Sequence, residues 1–349
     1  MRALTVRPGQ AGSLAVTDVP DAQVGPGELL VDGLAVGVCG TDREIAAGAY
    51  GVPPPGRDRM VIGHESLGRV RAAPPDSGFA PGDLVAGVVR RPDPEPCGAC
   101  AHGEPDMCRN GGYTERGISG LDGYASPQWT VPPEYAVRLN PGLERTGVLL
   151  EPASVVAKAW EQVQRVGERS WFDPQRALIT GAGPIGLLAA LLSVQRGLDT
   201  HVLDVVADGP KPDLVRALGA TYHHDGLDAA VAGCAPDVVI EATGVSSVVF
   251  GALAATAPYG IVCLTGVSSG GRTVELDGGA LNREIVLEND AVIGSVNANR
   301  RHFTAAATAL SLADPGWLQR LITRTLPLER ASEAFDAEDD DVKVVLALG

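Results

Sequence analysis

Three short stretches carry side chains of the kinds that hold a reactive metal ion: Cys39 in Gly37-Val38-Cys39-Gly40-Thr41-Asp42, His64 and Glu65 in Gly63-His64-Glu65-Ser66-Leu67-Gly68, and Glu151 in Leu149-Leu150-Glu151-Pro152. Thiolate, imidazole and carboxylate are the ligand types of a catalytic zinc, which usually takes three from the protein and keeps one position open. Each residue also has an ordinary structural reading: Cys39 as a small core residue, His64 as a satisfied buried histidine, Glu65 and Glu151 as surface charges. Spacing alone does not choose between the two. A second group, Cys97, Cys100 and Cys108, forms C-x2-C-x7-C in a Gly/Pro-rich stretch. Six cysteines in 349 residues are too sparse for a disulfide scaffold, so this clustering points to metal before disulfide. Cys234 and Cys263 read as buried small residues.

A different chemistry is written at Gly181-Ala182-Gly183-Pro184-Ile185-Gly186. A G-x-G-x-x-G string is weak evidence by itself, but here it follows the apolar run Ala177-Leu178-Ile179-Thr180 and opens the helical run Leu187-Leu188-Ala189-Ala190-Leu191-Leu192. Gly181 then permits the tight turn, Gly183 lets a pyrophosphate approach the backbone, and Gly186 lets helix and strand pack closely. The free N–H groups at the helix start hold the phosphates. Asp204 follows the next apolar run at the distance where a carboxylate accepts hydrogen bonds from the adenosine ribose. It favours NAD over NADP, since a 2′-phosphate would be repelled and the nearest following base is Lys211. The ordinary alternative is a strand-end turn aspartate.

These residues need elements to place them. Up to about residue 150 the pattern is of short β segments, Leu29-Leu30-Val31, Val61-Ile62 and Leu84 to Val89, broken by turns such as Pro53-Pro54-Pro55-Gly56 and Pro81-Gly82-Asp83. Beyond it, apolar strands at 177–180, 201–203, 238–240, 261–264 and 292–293 alternate with Ala/Leu-rich helical stretches, the mark of βαβ units and a parallel sheet. One helix is expected to open at Pro212 and close at Gly219, and another to run from about Phe303 to Leu312. The final Val342-Lys343-Val344-Val345-Leu346 is expected to return to the first domain. The length suits two domains.

The formal charge of −15, from 43 acidic and 28 basic residues, argues against nucleic acid or an anionic membrane surface as partner. No apolar run reaches the roughly 18 residues of a membrane span, and the first residues lack the apolar core of a secretory signal. A cytoplasmic enzyme is the expectation.

Taken together, the pairing of GVCGTD with GHESLG, the Pro81-Gly82-Asp83-Leu84-Val85 turn, the three-cysteine lobe and GAGPIG resemble the zinc-containing medium-chain dehydrogenases over essentially the whole chain. Thr41-Asp42-Arg43-Glu44-Ile45, Glu151-Pro152, Glu241-Ala242-Thr243-Gly244 and Gly294-Ser295-Val296-Asn297 are similar to the archaeal-type glucose 1-dehydrogenase branch. The resemblance implies an α/β protein with a GroES-like, mostly β catalytic domain over residues 1–150, completed by about 300–349, and a Rossmann domain with a doubly wound parallel sheet over 151–299. It implies that Cys39, His64 and Glu151 bind the catalytic zinc, with Glu65 alternating with water on the metal, and that Thr41 passes the substrate proton towards solvent. It further implies that Pro184, Ile185, Thr243, Gly266 and Asn297 join the glycines and Asp204 around the dinucleotide. No histidine that could finish the proton relay is apparent near Thr41.

Cys97, Cys100 and Cys108 match the last three positions of the four-cysteine structural zinc lobe of that superfamily. The first falls at Pro94, which offers no ligand, so Asp93, Glu95 or His102 would complete a second zinc site, or the lobe is metal-poor. Glu115 matches a sugar-hydroxyl contact of the branch, and Asn297 would sit near both nicotinamide and sugar; together with Thr41 and Glu151 they make the expected substrate contacts. Carboxylate and amide groups suit a polyhydroxylated ligand. Glu288 stands where close relatives suggest histidine. The expected reaction is oxidation of the anomeric hydroxyl of glucose or a related aldose to a lactone with NAD. The alternatives are a zinc polyol or alcohol dehydrogenase acting on a secondary hydroxyl, and a non-catalytic NAD-binding protein. A homodimer or homotetramer is expected.

Overall fold

The computed structural model describes every residue of the chain except 269, 271 and 272. It divides into two compact units, Met1–Ser154 with Asn297–Gly349, and Val155–Val296.

The first unit is built around one long strand, Leu29–Val38, whose inner residues Leu29 and Val31 are fully buried. Its neighbours are Glu65–Ala72 on one side and the C-terminal strand Lys343–Ala347 on the other, both antiparallel to it. Gly37 is thereby paired with Glu65 on one flank and with Val345 on the other. Leu84–Gly87 and Ala136–Arg138 extend the sheet on the Glu65–Ala72 side, and Gln128–Val131 pairs with the start of the long strand. Tyr124 and Trp129 fill the core beneath it, ring centroids 4.7 Å apart, with Leu29, Val31, Val70 and Val85. A small separate sheet places Arg90 directly opposite Glu115.

The second unit holds six strands: β1 (Arg176–Thr180), β2 (Asp199–Leu203), β3 (Thr221–His223), β4 (Val238–Glu241), β5 (Ile261–Leu264) and β6 (Ala291–Gly294). They pair in the order β3-β2-β1-β4-β5-β6, all parallel. The inner residues of β1, β4 and β5 form apolar runs that are buried along almost their whole length, as in a sheet covered on both faces. The order reverses between β1 and β4, the crevice at which doubly wound sheets take their ligands.

Two helix starts differ from the sequence expectation. The helix expected at Pro212 opens at Pro210, because both prolines fall in a first turn whose N–H groups have no helical acceptor anyway; Gly219, with φ +79°, follows its end. The helix expected from Phe303 opens at Arg300. Asn299 caps it by accepting from the Arg301 N–H at 3.1 Å, while His302 Nδ1 accepts from the Asn299 N–H. No helix among the described residues is long and apolar enough to cross a membrane.

Candidate active site

Cys39 ends the long central strand and caps the short helix Gly40–Ala46. Asp42, in that helix, is almost fully buried and accepts from the Cys39 N–H at 2.9 Å through Oδ2. Its other oxygen lies 3.3 Å from His64 Nδ1, and His64 Nε2 lies 3.2 Å from Cys39 Sγ. One carboxylate thus fixes both the loop that carries the thiol and the orientation of the imidazole, the arrangement that second-layer carboxylates impose on metal-binding histidines. Cys39, His64 and Glu65 offer ligand atoms all within 4.8 Å of one another.

The electrostatics of this cluster suit a bound cation. Burial pushes the Cys39 thiol up, and Asp42 and Glu65 outweigh part of what His64 does to lower it. Burial works against a charged His64, but Cys39 and Asp42 together hold it well above the usual histidine range. Glu151, in the first turn of the helix Leu150–Gly167, is half-buried and stands outside the tight three-residue cluster. Burial first, and then the charge of Glu65, push its carboxyl up to about 7. Buried and half-buried carboxyl groups, one of them raised to about 7, gathered around an imidazole and a thiol, fit a divalent metal.

Sequence reasoning missed Lys343. It is 1% exposed, donates to the Val38 carbonyl at 3.2 Å, and forms an ion pair with Glu65 Oε2. Burial disfavours its charge, yet Glu65 and Cys39 hold its pKa above the usual lysine value. The pair crosses the central strand at Gly37. A Cβ there would overlap Glu65 Oε2 and come within 2.9 Å of Lys343 Cε. Thr41 is half-buried, and among the described residues its hydroxyl has no hydrogen-bond partner.

Glu115 is not a free loop carboxylate: it is 5% exposed, and Arg90 donates to its Oε1 from Nε at 3.1 Å and Nη2 at 3.0 Å. Asn297, in the left-handed region at φ +63°, donates to the same oxygen from Nδ2 at 2.5 Å and accepts from the Ala298 N–H at 2.7 Å.

In the cysteine lobe, the sulfurs of Cys97, Cys100 and Cys108 also lie within 4.8 Å of one another. Backbone N–H groups, first that of Arg109, lower Cys97 to about 6, which favours a thiolate. Of the three expected fourth ligands, Asp93 is the buried one, with Oδ2 at 4.0 Å from Cys108 Sγ. Gly112 donates its N–H to that same oxygen and, lacking a Cβ, leaves it room. His102 turns Nδ1 to the Gly98 carbonyl at 2.7 Å instead, and Glu95 is exposed.

In the second unit the glycine loop lies between β1 and the helix α1 (Pro184–Val194). Gly181 has φ +91°. A Cβ on Gly186 would collide with the Gly181 carbonyl, whereas one on Gly183 would meet nothing within 4 Å. The open space over Gly183, at the start of α1, is a cradle of the kind a pyrophosphate fills. Asp204, at the end of β2, accepts from the Ala182 N–H at 2.6 Å and lies 3.6 Å from Lys211 Nζ. Pro184 and Ile185 form the first turn of α1. Thr243 and Gly266 are gathered by a residue the sequence reading quoted only within a motif, Glu241. Fully buried at the end of β4, Glu241 accepts from the Thr243 N–H at 2.7 Å, and its carbonyl accepts from the Gly266 N–H at 3.0 Å. Glu288 ends the helix α2 (Gly278–Glu288), beside Asp290 rather than among these groups.

A parallel dinucleotide sheet, and a half-buried thiol beside a buried imidazole and carboxylate on a β-rich unit, define a zinc-dependent medium-chain dehydrogenase frame. The comparisons agree: residues 25–141 match the alcohol dehydrogenase GroES-like domain, and residues 144–348 match the glucose dehydrogenase C-terminus. The chain is 40% identical to a glucose 1-dehydrogenase of Methanocella arvoryzae over 100% of both chains, and 41% identical to that of Thermoproteus tenax over 99% of both. The solved structure of Haloferax mediterranei glucose dehydrogenase with NADP, zinc and gluconolactone superposes with a TM-score of 0.91 at 35% identity, covering 100% of this chain and 99% of that one. This chain belongs to the glucose 1-dehydrogenase family.

Proposed function

We propose that this protein oxidises the anomeric hydroxyl of glucose or a related aldose to the lactone, using zinc and a nicotinamide dinucleotide, with NAD preferred. The observation that carries the reading is the Cys39, His64 and Glu65 cluster oriented by Asp42, in a chain whose full-length relatives are glucose 1-dehydrogenases. Cys39, His64 and Glu151 are the residues to hold the catalytic zinc, because Lys343 already answers the charge of Glu65 and keeps that carboxylate in reserve. When bound, zinc supplies Lewis-acid polarisation of the substrate oxygen and the nicotinamide supplies the hydride acceptor. Thr41 Oγ1 takes the hydroxyl proton on its way to solvent, while Glu115 and Asn297 orient the sugar. Gly181, Gly183 and Gly186 make the pyrophosphate cradle; Asp204 receives the adenosine ribose, and its carboxylate, with only Lys211 beside it, favours NAD over NADP.

Cys97, Cys100, Cys108 and Asp93 would hold a second zinc. The edge strand β6, unpaired on its outer side among the described residues, together with exposed Val286 and Leu287, suits a homo-oligomer in which a second copy covers that edge. The deciding experiment combines metal analysis with a panel of aldoses, polyols and simple alcohols assayed with NAD and NADP. Full activity without metal, or preference for secondary alcohols over aldoses, overturns the reading. Two zinc ions per chain supports the lobe site and one argues against it.

A further inference from the structure

Around Glu115 the donors are distributed unevenly. An arginine facing a carboxylate commonly takes one oxygen with each prong. Here Arg90 Nε and Nη2 both converge on Oε1, and Asn297 Nδ2 joins them there. Among the described residues Oε2 has no hydrogen-bond partner, and it is not sealed from solvent. The guanidinium cannot easily turn to correct this. Its Nη1 donates to the Asp106 carbonyl at 3.2 Å, its face rests on the Tyr113 ring at 3.7 Å, and its strand position opposite Glu115 is fixed by backbone pairing. Asn297 is equally committed, since its Oδ1 is occupied by the Ala298 N–H.

We propose that Arg90 is a specificity-determining positioning residue, which pins Glu115 so that Oε2 alone faces the sugar and admits an uncharged hydroxyl donor there. The inference rests on the aldose reading given above. A hydroxyl can donate to Oε2 and, if close enough, accept the remaining Nδ2 hydrogen of Asn297. A carboxylate on the ligand has nothing to donate and is repelled. An ammonium can donate, but Arg90 has already balanced the charge of Glu115, so the ammonium loses its solvation with no net anion to repay it. The site therefore selects neutral sugars over both amino sugars and sugar acids.

The test compares D-glucose, its monodeoxy analogues and the matching amino sugars, at a pH where the amines are protonated, in the wild type, Arg90→Gln and Arg90→Lys. In the wild type one deoxy position is expected to lose about 10- to 100-fold in kcat/KM, mostly through KM, the size of a hydrogen bond to a charged group. The amino sugar at that position should do no better than the deoxy sugar. Arg90→Gln should raise the preference for that amino sugar over glucose by about tenfold or more, because Glu115 is then an uncompensated anion. Arg90→Lys should raise KM without changing the preference. A wild type that uses the amino sugar as well as glucose, or an Arg90→Gln variant that slows every substrate by one factor, overturns the proposal. The wild-type arm decides even if the glutamine variant does not fold. If the wild type oxidises no aldose, the aldose reading itself has failed, and this inference with it.

Discussion

At the scale of single residues, the buried pair of Glu65 and Lys343 adjoins the proposed zinc ligands and is the feature the sequence concealed best. Cys39, His64, Glu65 and Glu151 stood out because each sits in a short, chemically distinctive motif. Lys343 sits in the apolar run Val342-Lys343-Val344-Val345-Leu346, where a lone lysine suggests a solvent-facing position on an edge strand. Its role appears only when that strand pairs with Leu29–Val38, which in turn pairs with Glu65–Ala72, so that two side chains 278 positions apart meet across Gly37. Removing one partner of a buried ion pair leaves an uncompensated charge, at a cost of about 3–5 kcal/mol. Lys343→Met is therefore expected to lower unfolding stability by that order in denaturant titration, and a second change, Glu65→Gln, should restore a large part. If Lys343→Met alone is neutral, the pair is not holding Glu65. Arg90 was invisible for a similar reason: its register with Glu115 depends on a small sheet between short strands that no periodicity could announce.

At the scale of elements, the parallel strands were legible because burial on both faces leaves apolar runs with little polar interruption, and the observed β1, β2 and β4 to β6 overlap the expected segments within a few residues. β3, three residues containing two half-buried positions, offered no such run. The glycine loop permits a sharper separation of folding from binding. Gly186→Ala forces a Cβ against the Gly181 carbonyl, so it should push α1 off β1 and reduce both stability and dinucleotide affinity. Gly183→Ala meets open space and should change stability by less than about 0.5 kcal/mol, as for an unhindered surface change. It should nevertheless weaken NAD binding, measured by fluorescence titration, because its methyl group occupies the cradle. Unchanged affinity in Gly183→Ala would place the pyrophosphate elsewhere. Just beyond α2, Asp290 has a pH dependence of definite sign. Burial first, and then Glu288, raise its carboxyl from 3.8 to about 6. The folded protein therefore holds this proton more tightly than the unfolded chain, so the contribution is stabilising below about pH 4 and is lost as pH rises through about 6. Asp290→Asn should flatten stability between those limits, measured by denaturant midpoints at several pH values; an unaltered slope would remove Asp290 from the account.

At the scale of the whole molecule, the charge balance sets two electrostatic effects against each other. Exposed ion pairs such as Arg7 with Asp58 at 3.0 Å, and Arg330 with Glu333, gain from low salt, but fully solvated pairs of this kind add little to stability. Against them stands the surplus of 43 acidic over 28 basic residues, which gives −15 and a mutual repulsion that the unfolded chain relieves by expanding. Screening weakens both effects. The Debye length is about 10 Å at 0.1 M salt and about 3 Å at 1 M, so the longer-range repulsion among unpaired acids is lost first, while pairs in contact retain more of their attraction. Repulsion should therefore dominate the salt response. The melting temperature is expected to rise by about 2 °C or more between about 0.05 M and about 0.5 M potassium chloride, the scale of a gain near 1 kcal/mol for a chain of this size. Metal-saturated protein should be used, so that zinc loss does not enter the comparison. A melting temperature that falls with salt would mean that the surface pairs outweigh the surplus, and would assign the acidic composition to solubility alone.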